Sequence, residues 1–301
     1  MARNAQQSQD YKFTVSQQAI IHNGKPTGFF GNFREDTGAC LGMTSDQYGL
    51  VQNDELVDAA IAALHARGLS DFEQKVLVTG EGEKMFAEFT FKNKQLASAV
   101  GDIFGYKLIL KNSFDRSTRA AFELALLRLT CMNGNSTLEK EFGVTAKHSG
   151  KVSVEFVGRA IDHSIENGQR ALKVYDKLAE MAITDEQGQN ILKQLEAIKL
   201  LSGSLRQSME TLWLAPKRTE DKARNLYNLY NAVTEHLTHQ VSNERYEYSQ
   251  KVGSNVLIKL FNAARNPAQL GKLILPIPEK DGVTISVDAG EITSGNSIIV
   301  P

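Results

Sequence analysis

Basic side chains in the middle of the chain have a spacing suited to binding phosphate. The segment from Tyr106 to Asn135, YKLILKNSFDRSTRAAFELALLRLTCMNGN, predicts two strands joined by a turn at Asp115-Arg116-Ser117. Successive side chains of a strand point to opposite faces, so Lys107 and Lys111 share one face. The basic residues of this hairpin and their aromatic neighbour are Lys107, Lys111, Arg116, Arg119, Arg128 and Tyr106. A positive stripe beside an aromatic ring is typical of surfaces that follow a single-stranded nucleic acid backbone.

The distribution of charge along the chain supports this interpretation. Residues 1–105 contain nine Lys/Arg against thirteen Asp/Glu, whereas residues 106–159, which include Lys147, Lys151 and Arg159, contain nine against five. The whole chain has a net charge of only -1, but the local sign of charge is what steers a ligand. Unevenly charged, solvated faces explain the pattern equally well. For Arg128, a buried role with a hydrogen bond to Asp115 or a backbone carbonyl also fits.

Residues that could support catalysis or metal binding form weaker patterns. His236 and His239 lie three residues apart beside Glu235, a spacing that could hold a metal ion, but the sequence places no third ligand near them. Cys131 has apolar neighbours, which favours a buried structural thiol over a reactive one. The sequence contains no GxSxG, GxGxxG or GxxxxGK[ST] motif. We therefore expect no cofactor and no catalysis, with a metal-dependent enzyme or hydrolase as an alternative open to metal analysis.

Hydrophobic periodicity predicts an α+β protein in four segments. Residues 1–40 are expected to form an N-terminal arm, including a loop over 27–33 whose rings pack on the core, and 41–155 an α+β core with two β-hairpins. Residues 156–265 are expected to be helical and 266–301 to form a C-terminal tail. Within the core, a helix covering a small antiparallel sheet is predicted to begin at Asn53 or Asp54.

Several shorter segments carry specific expectations. Residues 92–105 are interpreted as a connector with a short helix, and residues 133–142 as a helix or turn. A capping box at Thr184 and Gln187 predicts a helix start, and Thr219 is expected to cap a further helix. Residues 283–287 are expected to form a strand. No signal-like or membrane-spanning apolar run occurs, so we expect a cytoplasmic protein without membrane contact.

Four sequence islands resemble the phage/plasmid-like protein family, a domain of unknown function. The first joins Asn112-Ser113-x-Asp115-x-Ser117 to Arg128-Leu129-Thr130-Cys131-x-Asn133, and the second is Tyr48-Gly49-Leu50-Val51-Gln52-Asn53. The others are Tyr230-Asn231-Ala232-Val233-Thr234-Glu235-His236-Leu237 and Lys147-His148. They extend over residues 41–240. The chain departs from the family pattern at Asp115-Arg116, where the family has Asp-Gly, and it lacks a Pro-Trp element near the N-terminus.

The resemblance implies a phage or mobile-element origin without a settled activity. The predicted order of helix, two hairpins and helix also looks like the core of phage single-strand annealing proteins, a likeness of fold alone. That likeness implies a homo-oligomer with single-stranded DNA between a sheet and a helix. We therefore expect non-catalytic single-stranded DNA binding, and annealing, in recombination or replication. The alternative is a self-assembling or host-factor-binding protein of a phage, without nucleic-acid activity.

Overall fold

The fold is α+β, as the sequence predicts: two antiparallel sheets are followed by a helical C-terminal region. The computed structural model describes residues 10–98, 101–130, 133–136, 143–146, 155–242 and 245–277. The strand predicted at 283–287 lies outside the described residues, as do Cys131, Lys147 and Lys151.

A three-stranded sheet begins the described chain. Its strands, in spatial order, are β1 (Val15–His22), β2 (Lys25–Arg34) and β3 (Cys40–Thr44). This corrects the expectation of a loose arm and of an aromatic loop at 27–33, because that segment forms most of β2. The alternation of polar and apolar residues is weak in β1 and β2, whose outer face is exposed to solvent.

A six-stranded main sheet follows. Its strands are β4 (Glu73–Thr79), β5 (Lys84–Ala97), β6 (Ile103–Ser113), β7 (Ala120–Arg128), β8 (Asn133–Ser136) and β9 (Gly143–Ala146). The strands pair in the order β4-β5-β6-β7, and β8 and β9 both pair with the remaining edge of β7. The two predicted hairpins are therefore confirmed. The connector predicted at 92–105 is wrong, because β5 continues to Ala97, and 133–136 form a strand where a helix or turn was expected.

Seven α-helices lie in the described residues. They are α1 (Asn53–His65), α2 (Glu155–Ala179), α3 (Asp185–Ala197), α4 (Gly203–Leu214), α5 (Leu226–His239), α6 (Tyr246–Arg265) and α7 (Pro267–Ile274). The predicted capping box is present at the start of α3, where Thr184 Oγ1 accepts from the Gln187 amide at 3.1 Å. Thr219 begins only a short 3₁₀ turn, and it is Asn225 whose side chain caps α5.

The main sheet has one apolar face and one charged face. Phe89, Leu108 and Phe122 lie on the apolar face, in a single hydrophobic core with residues of α1 and α2. On the charged face, Phe86 packs against Tyr246 at the start of α6, with ring centroids 5.1 Å apart. The sheet thus lies between helices, and its charged face is the one that α6 crosses.

Candidate nucleic-acid interface

Lys107 and Lys111 lie on the charged face of the main sheet, and both are neutralised there. Lys107 Nζ lies 2.7 Å from Glu88 Oε1, and Lys111 Nζ lies 2.6 Å from Glu123 Oε2. All four side chains are almost fully buried. The carboxylates come from the strands on either side, since both Glu88 and Glu123 pair with Ile109 between the two lysines. This corrects the prediction of an accessible positive stripe: neither ammonium is available to phosphate.

The Lys107–Glu88 pair also anchors α6 to the sheet. Tyr246 donates a hydrogen bond of 2.6 Å from its hydroxyl to Glu88 Oε1. Burial alone would raise the pKa of Glu88, but the charge of Lys107 and the hydrogen bonds from Lys107 and Tyr246 hold this pKa below its ordinary value. Glu88 is therefore ionised in the folded protein at neutral pH.

Acid is expected to remove the stabilisation that this pair provides. The folded-state pKa of Glu88 is depressed, so its contribution is present above the unfolded-state pKa of about 4.3 and is lost as pH falls through the folded value. Urea unfolding between pH 7 and pH 3 should show a shallower loss of stability for Glu88→Gln than for the wild type. Glu186→Gln, at an exposed position of α3, should leave the pH dependence unchanged. Parallel curves for Glu88→Gln and the wild type would contradict this assignment.

Arg128 points to the opposite face from Lys107 and is fully buried. It pairs with Phe104 across β6 and β7, whereas Lys107 pairs with Ala125, so strand alternation separates the two cations. The guanidinium contacts Asp102 at 2.9 Å and Asp221 at 2.5 Å. The alternative of a buried structural role is therefore correct, although Asp115 is not the partner, and the predicted phosphate contact is excluded by burial.

Tyr106 is half-buried on the apolar face, not displayed beside the lysines. Its ring lies against α2 at Gly168, where a Cβ would come within 2.7 Å of the ring carbon Cζ. Burial raises the pKa of Tyr106. The predicted base-stacking role on the charged face does not fit this position.

Arg116 and Arg119 are exposed at the turn between β6 and β7. Asp115 Oδ1 accepts hydrogen bonds from the Ser117 amide at 2.9 Å and the Ser117 hydroxyl at 2.5 Å, which closes the turn. Arg116 has a φ of 68°, in the left-handed region that glycine adopts more readily. The turn therefore places an arginine, with a backbone conformation that suits glycine, at its exposed tip.

An open cleft of about 330 Å³ extends from this turn between the charged face and α6. Its floor includes the small residues Ala121 and Ala125, and Arg119 lies at the end nearest the turn. The helix side presents Gln250, Lys251 and Asn255. Amide groups and two exposed cations, Arg119 and Lys251, therefore border a cleft whose floor is partly apolar.

The two carboxylates of the cleft are neutralised by neighbouring lysines. Glu123 pairs with Lys111, and Glu247 Oε2 lies 2.6 Å from Lys84 Nζ. Thr118 also donates to Glu247 at 3.2 Å. With these charges balanced, Arg119 and Lys251 are left as positive charge along the cleft.

Sequence reasoning missed the contribution of α6. Lys251 and Tyr248 are exposed and lie one turn apart on this helix, and the Tyr248 side chain is 42% exposed. The signal that could have found them is an aromatic and a basic residue at i, i+3 on the polar side of an amphipathic helix. Their distance from residues 106–131 along the chain gave no reason to place them together.

The two histidines that the sequence singled out lie in different surroundings. Burial lowers the pKa of His236, which lies on the interior side of α5, while His239 Nε2 lies 3.8 Å from Glu235 Oε2. Lys217 and Arg218 contact the same carboxylate at 2.9 and 2.8 Å. Within the described ranges, no group of three or more His, Cys, Asp or Glu side chains could hold a metal ion.

Comparison with known proteins identifies a family. A family model described as a domain of unknown function, DUF932, matches residues 40–265, from the first residue of β3 to the last residue of α6. No curated protein and no solved structure matches the chain. In the described part of the chain, no helix combines the length and apolar character needed to cross a bilayer. The matched span contains the whole cleft.

Proposed function

The chain belongs to DUF932, a family of unknown function, and we propose that it binds single-stranded DNA, without catalysis, in the cleft between the β6–β7 turn and α6. The proposal includes a phage or mobile-element origin, a cytoplasmic location in the host, and strand annealing by a homo-oligomer. The open cleft between the charged face of the main sheet and α6 supports it, because it offers a strand a path between a sheet and a helix.

The observation that carries the proposal is a set of exposed cations at the cleft and at the turn beside it. Arg119 and Lys251 line the cleft, and Arg116 lies at the tip of the adjoining turn. Arg116, Arg119 and Lys251 are all exposed, and none forms an ion pair with any residue that the structure describes. Unpaired cations that border a groove release counterions when they contact phosphate, which favours binding.

The shape and lining of the cleft favour a single strand over a duplex. The channel holds about 330 Å³ and is bounded by a sheet and a helix, so an unpaired nucleotide can enter where a double helix cannot. Gln250, Ser254 and Asn255 supply polar groups that can contact bases or sugars. Tyr248 does not line the cleft but is exposed on the same helix, and stacking of a base on such a ring contributes about 1–3 kcal/mol in single-strand binding proteins.

Arg116 supports the proposal through its backbone. A non-glycine residue in the left-handed region costs about 1–2 kcal/mol, and Arg116 has a φ of 68° while its side chain extends into solvent. Strained residues concentrate where a side chain is required for function. A positive charge needed at the tip of the turn accounts for an arginine at a position that suits glycine.

Charge reversal tests the proposal directly. We expect the Arg116→Glu, Arg119→Glu, Lys251→Glu variant to lose affinity for a fluorescein-labelled oligothymidylate, measured by anisotropy, and to lose it most at low salt. Removing three phosphate contacts should also reduce the slope of log K against log salt by about 2. A control that reverses Lys173, Lys193 and Lys222, which are exposed on other surfaces, changes the net charge equally and should retain binding.

A single substitution separates function from stability at the turn. Arg116→Gly should raise the free energy of unfolding by about 1 kcal/mol by relieving the left-handed backbone, while it weakens binding of the oligonucleotide. Absence of salt-dependent binding by the wild type, or equal losses in the two charge-reversed proteins, would overturn the proposal.

Self-assembly without nucleic-acid activity is the second candidate, and one observation favours it. Phe29 and Met43 are 54% and 57% exposed, and both lie on the outer face of the three-stranded sheet, since Met43 pairs with Gly31 two residues from Phe29. Exposed apolar side chains on one face favour contact with another protein. Light scattering that shows a stable oligomer, together with no DNA binding at low salt, would support this candidate.

A further inference from the structure

An apolar pocket of about 230 Å³ opens on the opposite side of the main sheet from the cleft. It lies between β5, β6, α2 and the segment that follows α1. Six residues supply its walls: Leu69, Phe91, Leu96, Tyr106, Leu108 and Ile165. Because the main sheet separates it from the cleft, the pocket is a second site, independent of the proposed DNA path.

A bulge in β5 creates the opening. Phe91 pairs with Tyr106, but the next pair joins Gln95 to Gly105, so residues 92–94 have no partners on β6. The extra residues bend the strand away from its neighbour, and bulges of this kind recur beside binding sites. Lys94 and Gln95, at the end of the bulge, reach the rim of the pocket.

A glycine in α2 fixes one wall of the pocket. Gly168 is buried in the helix, where glycine costs about 0.5–1 kcal/mol relative to alanine, and any Cβ there would collide with the Tyr106 ring. The missing side chain lets the ring lie between the helix and the pocket. Tyr106, which was predicted to stack on a base at the charged face, instead presents its ring here.

The chemistry of the lining restricts the ligand. The described lining includes Lys94 and Gln95 but no Asp or Glu. A cavity of about 150 Å³ is enough to hold benzene, so this pocket has room for one or two fused rings. We propose that the pocket binds a small planar aromatic molecule that carries an anionic group, with its rings beside Phe91 and Tyr106 and its charge at Lys94.

Naphthalene-2-sulfonate and its neutral sulfonamide are suitable probes, used with the full-length protein. We expect saturable binding of the sulfonate in isothermal titration calorimetry, with saturation-transfer NMR reporting contact with the rings. Lys94→Gln should weaken binding of the sulfonate about two- to fivefold, the usual range for an exposed charge pair, and leave the sulfonamide unchanged. Lys193→Gln, at an exposed position of α3, is the matched control and should change neither.

Filling the pocket provides the second test. Ile165, which is partly exposed at the mouth, can be replaced by tryptophan without enlarging a buried side chain, and Ile165→Trp should abolish binding of both probes. Unchanged binding in Ile165→Trp, an equal effect of Lys94→Gln on both probes, or no saturable binding of the sulfonate at millimolar concentration would each overturn the proposal. Lys94→Gln alters an exposed side chain, so its result does not depend on refolding of the core.

Discussion

Arg128→Met is expected to lower the free energy of unfolding by about 3–5 kcal/mol, the usual effect of breaking a buried charge pair from one side. The substitution would leave Asp102 and Asp221 without their main cation. Asp102 is itself buried and accepts a second hydrogen bond, of 2.8 Å, from the Tyr227 hydroxyl. Urea unfolding followed by circular dichroism measures the loss. The large effect is expected because the guanidinium joins three parts of the fold. It connects β7 to Asp102, in the loop between β5 and β6, and to Asp221, in the turn before α5.

Two further variants identify the cause of that loss. Arg159→Met removes an exposed arginine from α2 and should change stability by less than about 0.5 kcal/mol. Adding Asp102→Asn and Asp221→Asn to Arg128→Met removes the buried negative charges and should recover part of the stability. If Arg128→Met were as stable as the wild type, the buried cluster would contribute nothing to the fold.

Gly188→Ala is expected to destabilise the protein by about 1–3 kcal/mol through overpacking. Gly188 lies in α3 against the indole of Trp213, and an alanine Cβ would come within 2.8 Å of the ring carbon Cζ2. Trp213 is almost fully buried and donates a hydrogen bond of 3.2 Å to the Asp185 carbonyl, so the ring has little freedom to move. Alanine improves helix propensity, but the collision outweighs that gain.

Gly271→Ala is the matched control, and it should change stability in the opposite direction. Gly271 lies in α7, and no heavy atom lies within 4 Å of the position that a Cβ would take, so the alanine should stabilise the helix by about 0.4–1 kcal/mol. Trp213 is the sole tryptophan of the chain, so its fluorescence reports the collision directly. A shifted emission maximum in Gly188→Ala and an unchanged one in Gly271→Ala are expected; stabilisation by both substitutions would contradict the tight packing of Gly188 on the indole.

Periodicity and capping predicted most of the elements correctly. The box at Thr184 predicted the start of α3, and the turn residues Asp115-Arg116-Ser117 predicted the hairpin of β6 and β7. Those signals are local, because each depends on residues within one or two turns of the chain. The first two strands were missed for the same reason: their outer face is solvent-exposed, and the aromatic residues of β2 gave no clean alternation.

The candidate site was harder to predict because the carboxylates that neutralise its lysines are distant from them in the sequence. The sequence shows Lys107 and Lys111, but the carboxylates that pair with them come from neighbouring strands whose register depends on the whole sheet. Arg128 was placed on the wrong face because the offset between β6 and β7 decides which residues of the two strands share a face. Lys251 lines the cleft only because α6 packs against the sheet, and no local sequence pattern predicts that packing.

The placement of α2 has a consequence for synthesis of the protein. The strands of the main sheet that the structure describes all precede α2 in the chain, and Val157 and Ile161 of this helix help to cover the apolar face. At about 5–20 residues per second, a ribosome takes roughly 2–7 s to translate from β9 to the end of α2. During that interval α1 alone covers part of the hydrophobic sheet, so a codon-dependent pause within α2 would prolong the need of the nascent chain for a chaperone.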